Sequence, residues 1–515
     1  MENPGESLGF LLWDRGKMDL ELRIKEAIKL EAKKLIDRYQ QYHNTLHLEH
    51  SRKKSRLKDT PPKIVKVPEA WREGNLHNPF YVRRKASSIA KSIAKKIREN
   101  TYEPNSPFVQ EIDKSGGGKR KISVFQVPDA AMSRLFYSGL LQKNKHRFSS
   151  YSYAYRDDRN VHFAIQDIAV DLKSLSRVFV AEFDFSDFFG SINHEYLLEQ
   201  LKCNGFMVSA DDLQVIKAFL RSHGGVGIPQ GTSISLFLAN LVCWALDKKL
   251  ERCGVKFARY ADDTIVWSQD YAKICEAFEC FDEFSRVANI KINTAKSAGI
   301  NLLKRKGLPA EMSSKEKIDF LGYSLSLGSV SIKESAVAKL KAQIAYILSK
   351  HLLQPLKARP LRALIIPANN RDKALLSAMA EIRRYLYGGL TSEQILNYLN
   401  GRTRRIYFKG LMSYYPLVSD VDQLKMLDGW LLSAVHRAVR ARSKLLSSHG
   451  FNRSHSFPFN VSRGTLLMKY RSQGVYGRAT YDVPSLSLLH RALTQALRET
   501  GIEKVMNIRS LNYMY

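Results

Sequence analysis

Cysteine is scarce in this sequence, and the five that occur show no paired C-x-x-C spacing. This excludes a disulfide framework or a four-cysteine zinc site, and it favours the reduced thiols of a cytoplasmic protein. Long apolar runs are lacking as well, so a membrane-spanning helix of about 20 residues is not expected. The first residues, MENPGESLGFLLWDRGKMD, carry early acidic side chains and no adequate apolar core, which argues against a secretory signal.

Acidic residues are few relative to basic ones. The chain has 50 Asp and Glu against 81 Lys and Arg, a formal net charge of +31 and a pI near 9.8. This excess goes far beyond what solubility needs, and it indicates a polyanionic partner, with nucleic acid ahead of a membrane surface. With 515 residues, of which 44% are hydrophobic, the chain is globular and long enough for two or three domains.

Periodicity divides the chain into segments of different character. Apolar residues at three- and four-residue spacing predict basic helices over 17–47 and 80–100. Between them, SRKKSRLKDTPPKIVKVP (51–68) is either a solvated linker or a basic strap that contacts phosphates. Two strand-like runs around a glycine-rich turn predict a β-hairpin over 108–128. From about 130 to 330 helical and β-branched segments alternate, and the remainder is mainly helical and basic.

Two predicted strands carry acidic residues where burial is expected. FARYADDTIVWS (257–268) places Asp262 and Asp263 inside a run that suits a buried strand. RVFVAEFDFSDFFGSINHEYL (177–197) places Asp184 near the end of another. Either stretch alone is compatible with a polar turn. Together, two strands that deliver carboxylates to one point form an oxygen-ligand site of the kind Mg²⁺ prefers, and two ions about 4 Å apart serve nucleotidyl transfer.

Five motifs in a fixed order resemble those of reverse transcriptases. RYADD resembles the Y-x-D-D signature, and EFDFSDFFGSI resembles the D-x-x-x-F-F-x-S-I stretch of bacterial members. GIPQGTSISLFLANL (227–241) is similar to the P-Q-G segment, although Leu236 replaces the usual proline. IKINTAKS (290–297) resembles the L-x-L-N-x-x-K-T motif, and IDFLGYSL (318–325) resembles the F-L-G-Y/F hairpin ahead of the thumb.

The resemblance implies an α+β, right-hand polymerase with fingers, a ferredoxin-like palm, a helical thumb and a helical basic C-terminal extension. The implied division is an N-terminal helical basic region (1–105), fingers (106–175), a palm with the catalytic motifs (176–330), and the thumb with the extension (331–515). The implied activity is RNA-directed DNA polymerisation, a nucleotidyl transfer that uses two Mg²⁺ ions, with Mn²⁺ as a substitute. Its partners would be dNTPs, an RNA template and a DNA product.

The resemblance also assigns roles around the metal ions. Asp184 and Asp262 would ligate both ions, and Asp263 would support the site. The backbone carbonyl of Phe185 would complete one coordination sphere. Phe189 falls where these enzymes keep an aromatic ring against the sugar, which predicts selection of deoxynucleotides and discourages an RNA-dependent RNA polymerase.

Further residues would contact the nucleotide and the template. Gln230 and Gly231 would lie against both, because a glycine admits close approach of the backbone. Lys119 and Arg120 match the fingers hairpin that holds the triphosphate, since Arg suits bidentate phosphate contact. The alternative for this pair is an exposed basic turn.

Three more candidates have weaker motif support. Lys296 would protonate or neutralise the pyrophosphate leaving group, unless it is a solvated surface lysine. Tyr260 would border the primer terminus, and a buried tyrosine is the alternative. Arg156 lies in SYAYRDDRNVHFAI, which resembles a conserved stretch of the same fingers.

The C-terminal third is apolar on one helical face and basic on the other. Residues 406–446 resemble the thumb of group II intron enzymes, and the arginines at 437, 440 and 442 would follow a template–primer backbone. A packed bundle with a solvated side is the alternative. The mixture of aromatic and basic residues over 449–484 suits either single-stranded nucleic acid or a bundle edge.

No nuclease pattern follows the thumb, and this combination is like the bacterial unknown-group, defence-associated (abortive-infection) reverse transcriptases. The resemblance implies a homo-oligomer that makes cDNA from an associated noncoding RNA in antiphage defence, with no membrane partner. Priming from a protein hydroxyl, with Tyr513 or Tyr515 as donor, is a further hypothesis. The competing function is an intron-maturase-like RNA-binding protein in which polymerisation is secondary.

Overall fold

The computed structural model describes residues 19–113, 117–297, 299–357, 372–451, 462–465 and 482–505, together with 365 and 459. These residues form two compact units. Unit 1 comprises the described residues of Met1–Asn44, Val65–Ile168 and Leu175–Glu316, and unit 2 comprises those of Thr45–Ile64, Ala169–Ser174 and Lys317–Tyr515. The predicted division into fingers, palm and thumb by residue number stays a prediction.

Two long helices dominate the N-terminal part of the chain, as the apolar spacing predicts. Helix α1 spans Leu20–Lys54. Helix α2 spans Pro79–Arg98 and begins where the Asn78 side chain accepts a hydrogen bond from the Phe80 amide, with Pro79 in the first turn. Its buried face repeats at three- and four-residue intervals, comprising Val82, Ala86, Ala90, Ile93, Ala94 and Ile97. Its basic side chains therefore lie on the opposite, exposed face.

The predicted hairpin follows α2. Strands β1 (Phe108–Asp113) and β2 (Lys119–Val124) pair antiparallel, with Asp113 opposite Lys119. Helices α3 (Val127–Asn144) and α4 (Val161–Lys173) come next. The hairpin prediction is therefore confirmed.

A five-stranded sheet forms the centre of unit 1. Its strands are β3 (Arg177–Phe183), β4 (Lys256–Tyr260), β5 (Asp263–Ser268), β6 (Ile300–Lys304) and β7 (Ser314–Lys315), in the order β4-β5-β3-β6-β7. Between β3 and β4 lie α5 (Phe188–Ser191), α6 (His194–Cys203), α7 (Ala210–Leu220), α8 (Ser233–Val242) and α9 (Trp244–Cys253), and α10 (Tyr271–Ala288) lies between β5 and β6. The first four strands pair antiparallel, and β7 pairs parallel to β6. This β-α-β-β-α-β succession is the ferredoxin-like arrangement.

Aromatic packing fixes the central strand of this sheet. The rings of Phe183, at the end of β3, and Phe281, on α10, stack with centroids 3.7 Å apart and planes 7° from parallel. Phe185, just beyond the strand, packs its ring 5.4 Å from that of Phe284 on the same helix. Because protein interiors are close-packed, these contacts hold the end of β3 in one position. They therefore also fix the start of the segment after it, where Asp184 lies.

Unit 2 is mainly helical. Its strands β8 (Ile318–Phe320), β9 (Tyr323–Leu325) and β10 (Val330–Ile332) form a three-stranded antiparallel sheet. The helices that follow are α11 (Glu334–Leu348), a π-helical turn (Ser349–Leu353), α12 (Gln354–Lys357), α13 (Lys373–Tyr387), α14 (Ser392–Leu399), α15 (Val421–Ser448), α16 (Leu486–Thr500) and α17 (Ile502–Val505).

One of the three arginines expected to follow a nucleic-acid backbone is buried. Arg442 is 4% exposed, and its Nε donates to Asp372 Oδ2 at 2.8 Å. The expectation for Arg442 is wrong, because a guanidinium held by a buried carboxylate within the helical bundle cannot also contact phosphate. Arg437 and Arg440 are exposed on the same helix.

The predicted fold class is confirmed as α+β, with a helical C-terminal region. Among the described residues, no helix combines the length and the apolar character that crossing a membrane requires. Tyr513 and Tyr515, the hypothetical priming hydroxyls, lie outside the described residues.

Candidate active site

Three aspartates from different strands meet at one edge of the palm sheet. Asp184 directly follows β3, and Asp262 and Asp263 lie at the turn between β4 and β5. The antiparallel register pairs Phe183 of β3 with Thr264 of β5, which places the residues that follow and precede them side by side. The structure therefore brings together the acidic residues that the two sequence stretches supply, 78 and 79 positions apart.

The turn that carries Asp262 is strained and held from below. Tyr260 pairs with Asp263, so Ala261 and Asp262 form a two-residue hairpin loop, and Ala261 has φ +60°. A residue with a Cβ adopts this left-handed conformation at a cost of about 1–2 kcal/mol, and it persists where surrounding contacts enforce it. Here Arg259 Nη1 donates to the Ala261 carbonyl at 3.0 Å.

Arg259 belongs to a fully buried polar network beneath that turn. Its guanidinium binds both carboxylate oxygens of Asp247 at 2.6 Å, and both side chains are 0% exposed. Nη2 also donates to Ser152 Oγ at 2.8 Å, and Nη1 to Asn240 Oδ1 at 3.3 Å. Because bidentate pairing fixes the guanidinium in direction as well as distance, the hydrogen bond to the turn carbonyl is fixed too.

Burial and mutual repulsion shift the two turn carboxylates. Burial raises the pKa of Asp262, and the nearby Asp184 adds to the rise, while Lys296 and Arg120 oppose it. Burial also raises the pKa of Asp263 to about 7, with further contributions from Asp262 and Asp184. Each of these carboxylates disfavours the ionised form of the others, because nearby like charges repel.

Asp184 has protein partners of its own. Lys296 Nζ lies 2.9 Å from Asp184 Oδ2, and Asn293 Nδ2 donates to the same oxygen at 3.0 Å. Asn293 also donates its backbone amide to the Asp184 carbonyl at 2.8 Å. The contact with Asp184 raises the pKa of Lys296, whose side chain is 67% exposed. The loop after α10 thus orients the carboxylate and supplies one exposed cation to three acids.

These donors fit a divalent cation. Carboxylate and carbonyl oxygens are hard ligands. Burial first, and then repulsion from neighbouring acids, raises the pKa of both turn aspartates, and a bound cation would offset both effects. The β-bridge between Phe185 and Ile292 is formed by the Asp184 carbonyl, which accepts from Asn293, and by the Ser186 amide, which donates to Lys291. The Phe185 carbonyl, the predicted ligand, takes no part in this bridge. Within the described part of the chain, no three His, Cys, Asp or Glu side chains form a ready-made metal cluster.

The structure separates the two basic residues of the fingers hairpin. Successive residues of a strand point to opposite faces, so Lys119 and Arg120 project in opposite directions. Lys119 Nζ forms an exposed ion pair with Glu111 at 2.7 Å. Arg120 shares its face with Ile122, and its charge lowers the pKa of Asp262. Of the two, only Arg120 contributes to the charge balance of Asp262, and triphosphate contact by either residue stays a prediction.

Gly231 meets the protein's own fingers strand. Its φ is +110°, and an added Cβ would lie 2.7 Å from the Ser123 carbonyl oxygen and 3.0 Å from Ile122 Cγ2. The neighbouring Gln230 carbonyl accepts a hydrogen bond from the Ser123 amide at 2.7 Å. The requirement for glycine here arises at least in part from this contact with β2, and not solely from approach to a base pair, which was the sequence-based expectation.

Two aromatic candidates flank the aspartates in sequence. Phe189 on α5 is half-buried, with its ring 5.7 Å from that of Phe188, and its carbonyl accepts from the Ile228 amide at 2.8 Å. Tyr260 is half-buried, with its ring 6.5 Å from that of Tyr155. Partial exposure leaves each ring an accessible portion, so their sugar and primer contacts stay predictions.

Arg156 is engaged by its own loop. Its side chain is 5% exposed and binds Asp158 at 2.7 Å, and Nη1 donates to the Ser149 carbonyl at 2.6 Å. Further acceptors are the carbonyls of Ser152 and Lys145, both at 3.4 Å. These contacts indicate that Arg156 holds the segment between α3 and α4; a nucleotide contact would require it to leave these acceptors.

Sequence reasoning missed several residues that build the site. Asn293 stands in the quoted IKINTAKS motif, but its bond to Asp184 required the fold to be known. Arg259 precedes the Y-x-D-D signature and could have been flagged as a cation inside a buried strand. Its partner Asp247 lies on α9 with no local signal that links the two.

Residues 112–325 match the family described as reverse transcriptase (RNA-dependent DNA polymerase). This segment begins at the end of β1 and includes β2, all five strands of the central sheet, the three aspartates and the first two strands of unit 2. The chain therefore carries a reverse transcriptase domain. Together with the ferredoxin-like palm, the match confirms the predicted right-hand polymerase fold.

Individual relatives are distant. An uncharacterized 91 kDa protein in the cob intron of Schizosaccharomyces pombe is 26% identical over 155 residues, which cover 28% of this chain and 19% of that protein. Among solved structures, telomerase from Candida albicans with a TWJ fragment of telomeric RNA aligns at 12% identity, covering 73% of this chain and 68% of that one, with a TM-score of 0.35. Apo telomerase from Candida tropicalis aligns at 12% identity over 74% and 71%, also at 0.35. At such TM-scores these alignments carry no argument about function.

Proposed function

We propose that this chain is an RNA-directed DNA polymerase that extends a primer hydroxyl on an RNA template. The observation that carries the proposal is the meeting of Asp184, Asp262 and Asp263 at one sheet edge, within the segment that matches the reverse transcriptase family. The raised pKa values of Asp262 and Asp263 support it, because closely spaced buried carboxylates are typical of cation-dependent sites.

The proposed mechanism assigns the carboxylates to cation binding. Asp184 and Asp262 would hold divalent cations, with the Phe185 carbonyl as an added ligand and Asp263 as support. Bound there, such ions stabilise the attacking and leaving oxygens of an in-line displacement at the α-phosphate. We assign the cations to Mg²⁺, with Mn²⁺ as a substitute, from the oxygen-rich donor set.

Other residues would orient the substrate and balance its charge. Arg120 on β2, whose positive charge lowers the pKa of Asp262, would bind the triphosphate in bidentate fashion. Lys296, whose pKa is raised by Asp184, would hold a proton close to the departing pyrophosphate. Gln230 and Gly231, joined to β2 through the Ser123 amide, would fix the floor beneath the base pair.

Phe189 would exclude ribonucleotides through its exposed ring portion. A ring beneath C2′ collides with a 2′-hydroxyl, so Phe189→Ala should admit ribonucleotides while dNTP incorporation persists. We expect the ratio of dNTP to rNTP incorporation efficiency to fall by about 10-fold or more, as steric selection is lost. An unchanged ratio would contradict the assignment.

The central experiment uses the purified protein with the RNA that copurifies with it. Mg²⁺ and labelled dNTPs are added without external template, and Asp262→Ala/Asp263→Ala is the matched control. Labelled product that is lost in the control and after RNase pretreatment supports an RNA-directed polymerase. Product formed equally by the control would overturn the proposal, as would silence of the wild type on an added poly(rA)–oligo(dT) substrate.

We further propose a specific noncoding RNA as the template, a homo-oligomeric assembly, a cytoplasmic location and a role in antiphage defence. These finer proposals are supported by the motif resemblance, the net charge of +31 and the basic helical C-terminal region. Phage plaque formation on cells that express the wild type or Asp262→Ala tests the defence role. Equal plaquing on both would contradict it.

A second candidate is a splicing-associated RNA-binding protein in which polymerisation is secondary. The observation that favours it is the similarity to a protein encoded in the cob intron of Schizosaccharomyces pombe. The three aspartates at the sheet edge favour the polymerase instead. An Asp262→Ala protein that keeps the full biological activity of the wild type would decide for the RNA-binding function.

A further inference from the structure

A cluster of four aromatic rings lies on the surface of unit 1. Tyr39 and Tyr42 stand on α1, Trp71 lies in the segment before α2, and Phe80 lies in the first turn of α2. The ring centroid of Tyr39 lies 6.1 Å from that of Tyr42 and 5.0 Å from that of Trp71. The ring centroids of Trp71 and Phe80 are 6.0 Å apart. Phe80 is 49% exposed and Tyr42 is 37% exposed. We call these four residues the aromatic cluster.

Polar side chains line a shallow cleft beside the cluster. Its volume is about 310 Å³, and its walls are Tyr39, Gln40, His43, Asn44 and Phe80. The amide of Gln40, the imidazole of His43 and the amide of Asn44 each offer donors or acceptors, and all three residues are exposed. Rings combined with amide and imidazole groups match the requirements of a nucleobase, which stacks on its face and hydrogen-bonds on its edge.

Two hydrogen bonds hold the segments that carry the cluster. The Tyr42 hydroxyl accepts a hydrogen bond from the Lys66 amide at 3.3 Å, which ties the segment before α2 to α1. The Asn78 side chain caps α2 and so fixes the position of Phe80. The exposed rings are therefore held by local structure and do not depend on a ligand for their placement.

The chain segments that carry the cluster are rich in basic residues. Within unit 1, residues 33–44 and 65–85 contain eight Lys and Arg against three Asp and Glu. One of the acids, Asp37, pairs with Lys33 at 3.0 Å. Arg83, Arg84 and Lys85 follow Phe80 directly, and the Arg84 guanidinium lies 5.9 Å from the Tyr81 ring centroid. Phosphates next to a stacked base would meet these cations.

We propose that the aromatic cluster and its cleft bind unpaired bases of an RNA strand, at a site separate from the three aspartates. Single-stranded nucleic acid is recognised by aromatic rings that stack bases, within a basic surface that follows the backbone. Charge decides between this ligand and a protein partner. An apolar protein interface is depleted of charge at its core, whereas this cleft is lined by polar groups, and Phe80 in its wall is followed on α2 by the exposed Arg83 and Arg84.

The test measures binding without catalysis. A labelled single-stranded RNA containing 5-iodouridine is titrated with the full-length protein in EDTA, without dNTPs, and with excess unlabelled RNA–DNA duplex to occupy the polymerase site. We expect Tyr42→Ala/Phe80→Ala to weaken single-strand binding about 5- to 100-fold, the range for loss of a base stack. Duplex RNA of the same length should bind within about twofold of wild type, because no stack is lost.

Matched variants keep the inference falsifiable. Tyr271→Ala removes a ring that is 48% exposed on α10 and should leave RNA affinity unchanged. Phe80→Trp keeps a stacking face and should retain binding, which separates stacking from folding. Ultraviolet crosslinks of the iodouridine strand should map to peptides that contain Tyr42 or Phe80.

Three results would overturn the inference. The first is wild-type affinity in the double variant, and the second is equal weakening of single-stranded and duplex binding. The third is dimers of the wild type in sedimentation that become monomers in the double variant while RNA affinity stays unchanged, which would assign the cluster to a second copy of the chain. None of these outcomes depends on polymerase activity, so failure here is distinguishable from failure of the proposed function.

Discussion

The central sheet of unit 1 has a fully buried acid, Asp247, beside it and three half-buried acids, Asp184, Asp262 and Asp263, at one edge, and their charges are balanced differently. Asp247, on α9, is wholly enclosed and is bound at both oxygens by Arg259. The aspartates at the sheet edge have no comparable arrangement, since Lys296 is 67% exposed and contacts Asp184 alone among them at ion-pair distance in the described structure. The palm therefore neutralises one group internally and leaves the other with excess negative charge.

This difference separates a structural role from a functional one. A buried carboxylate with a bidentate partner is satisfied in the folded chain and needs nothing from outside. Asp263 is disfavoured in its charged form by burial and then by repulsion from Asp262 and Asp184, and a bound cation would relieve this cost. The hydrogen bond from Arg259 to the Ala261 carbonyl joins the two groups, because the Arg259–Asp247 pair supports the turn that carries Asp262 and Asp263.

The largest effect is expected when one of the three sheet-edge aspartates is replaced. Asp262→Asn should lower dNTP incorporation by about 10³-fold or more, because charge stabilisation in the transition state is lost. The same change should maintain or increase thermal stability, since it relieves repulsion with Asp184. Primer-extension rates and melting temperatures give both values, with the surface variant Asp282→Asn as control. A destabilised Asp262→Asn protein would show that the site is balanced by the protein itself.

Removing a charge from the satisfied group should have the opposite effect on stability. Arg259→Met leaves Asp247 buried and uncompensated, which should cost about 3–5 kcal/mol in the free energy of unfolding. Asp247→Leu in the same chain should recover much of this loss, because the unpaired charge is removed. Denaturant titrations of the two single variants and the double variant measure the recovery.

The refolded double variant then isolates the positioning role of Arg259. Arg259→Met/Asp247→Leu lacks the donor to the Ala261 carbonyl, and we expect kcat to fall about 10- to 100-fold with little change in KM for dNTPs. Wild-type kcat in a stable double variant would restrict Arg259 to a role in folding.

A smaller effect on the free energy of unfolding is expected where Gly231 contacts β2. Gly231→Ala places a Cβ against the Ser123 carbonyl oxygen and should cost about 1–3 kcal/mol by overpacking, in addition to backbone strain. Gly225→Ala is the matched control, because its φ is +96° but an added Cβ meets nothing within 4 Å. Equal losses for the two variants in unfolding titrations would attribute the effect to backbone conformation alone.

A further prediction concerns the pH dependence of stability. Because the folded-state pKa of Asp263 is raised to about 7, the folded protein binds more protons than the unfolded chain between about pH 4 and 7. Stability without divalent cations should therefore fall as pH rises through this window. Asp263→Asn should flatten the slope, and added Mg²⁺ should stabilise the wild type most near the upper end. A slope that is unchanged in Asp263→Asn would contradict the assignment.

Much of the fold was predictable because its signals are local. The apolar spacing of α2, the glycine-rich turn of the hairpin and the β-branched run of β3 each carry their period within the segment. The acids of the site were predictable for the related reason that a carboxylate inside a buried strand is anomalous. The motif order then supplied the fold class.

What could not be predicted depends on contacts between distant segments. The role of Asp247 follows from a partner on another element, and that of Asn293 follows from a loop that packs beside β3. The divergence of Lys119 and Arg120 required the register of the hairpin, since neighbouring letters in a basic run give no face. Arg442 was misassigned for the same reason, because its carboxylate partner Asp372 lies on a different segment.

The placement of β3 at the centre of the palm also has a consequence for biosynthesis. Of the five strands of this sheet, β3 is translated first, yet its neighbours β5 and β6 come much later in the chain, with Val178 opposite Leu303. One edge of β3 therefore stays unpaired until Thr264 and its neighbours in β5 have been made, and the other stays unpaired longer, until Ile300 and its neighbours in β6 have been made. Non-local pairing of this kind folds slowly and exposes strand edges to wrong partners. We expect the yield of folded protein to depend on chaperones and on translation speed between β3 and β6.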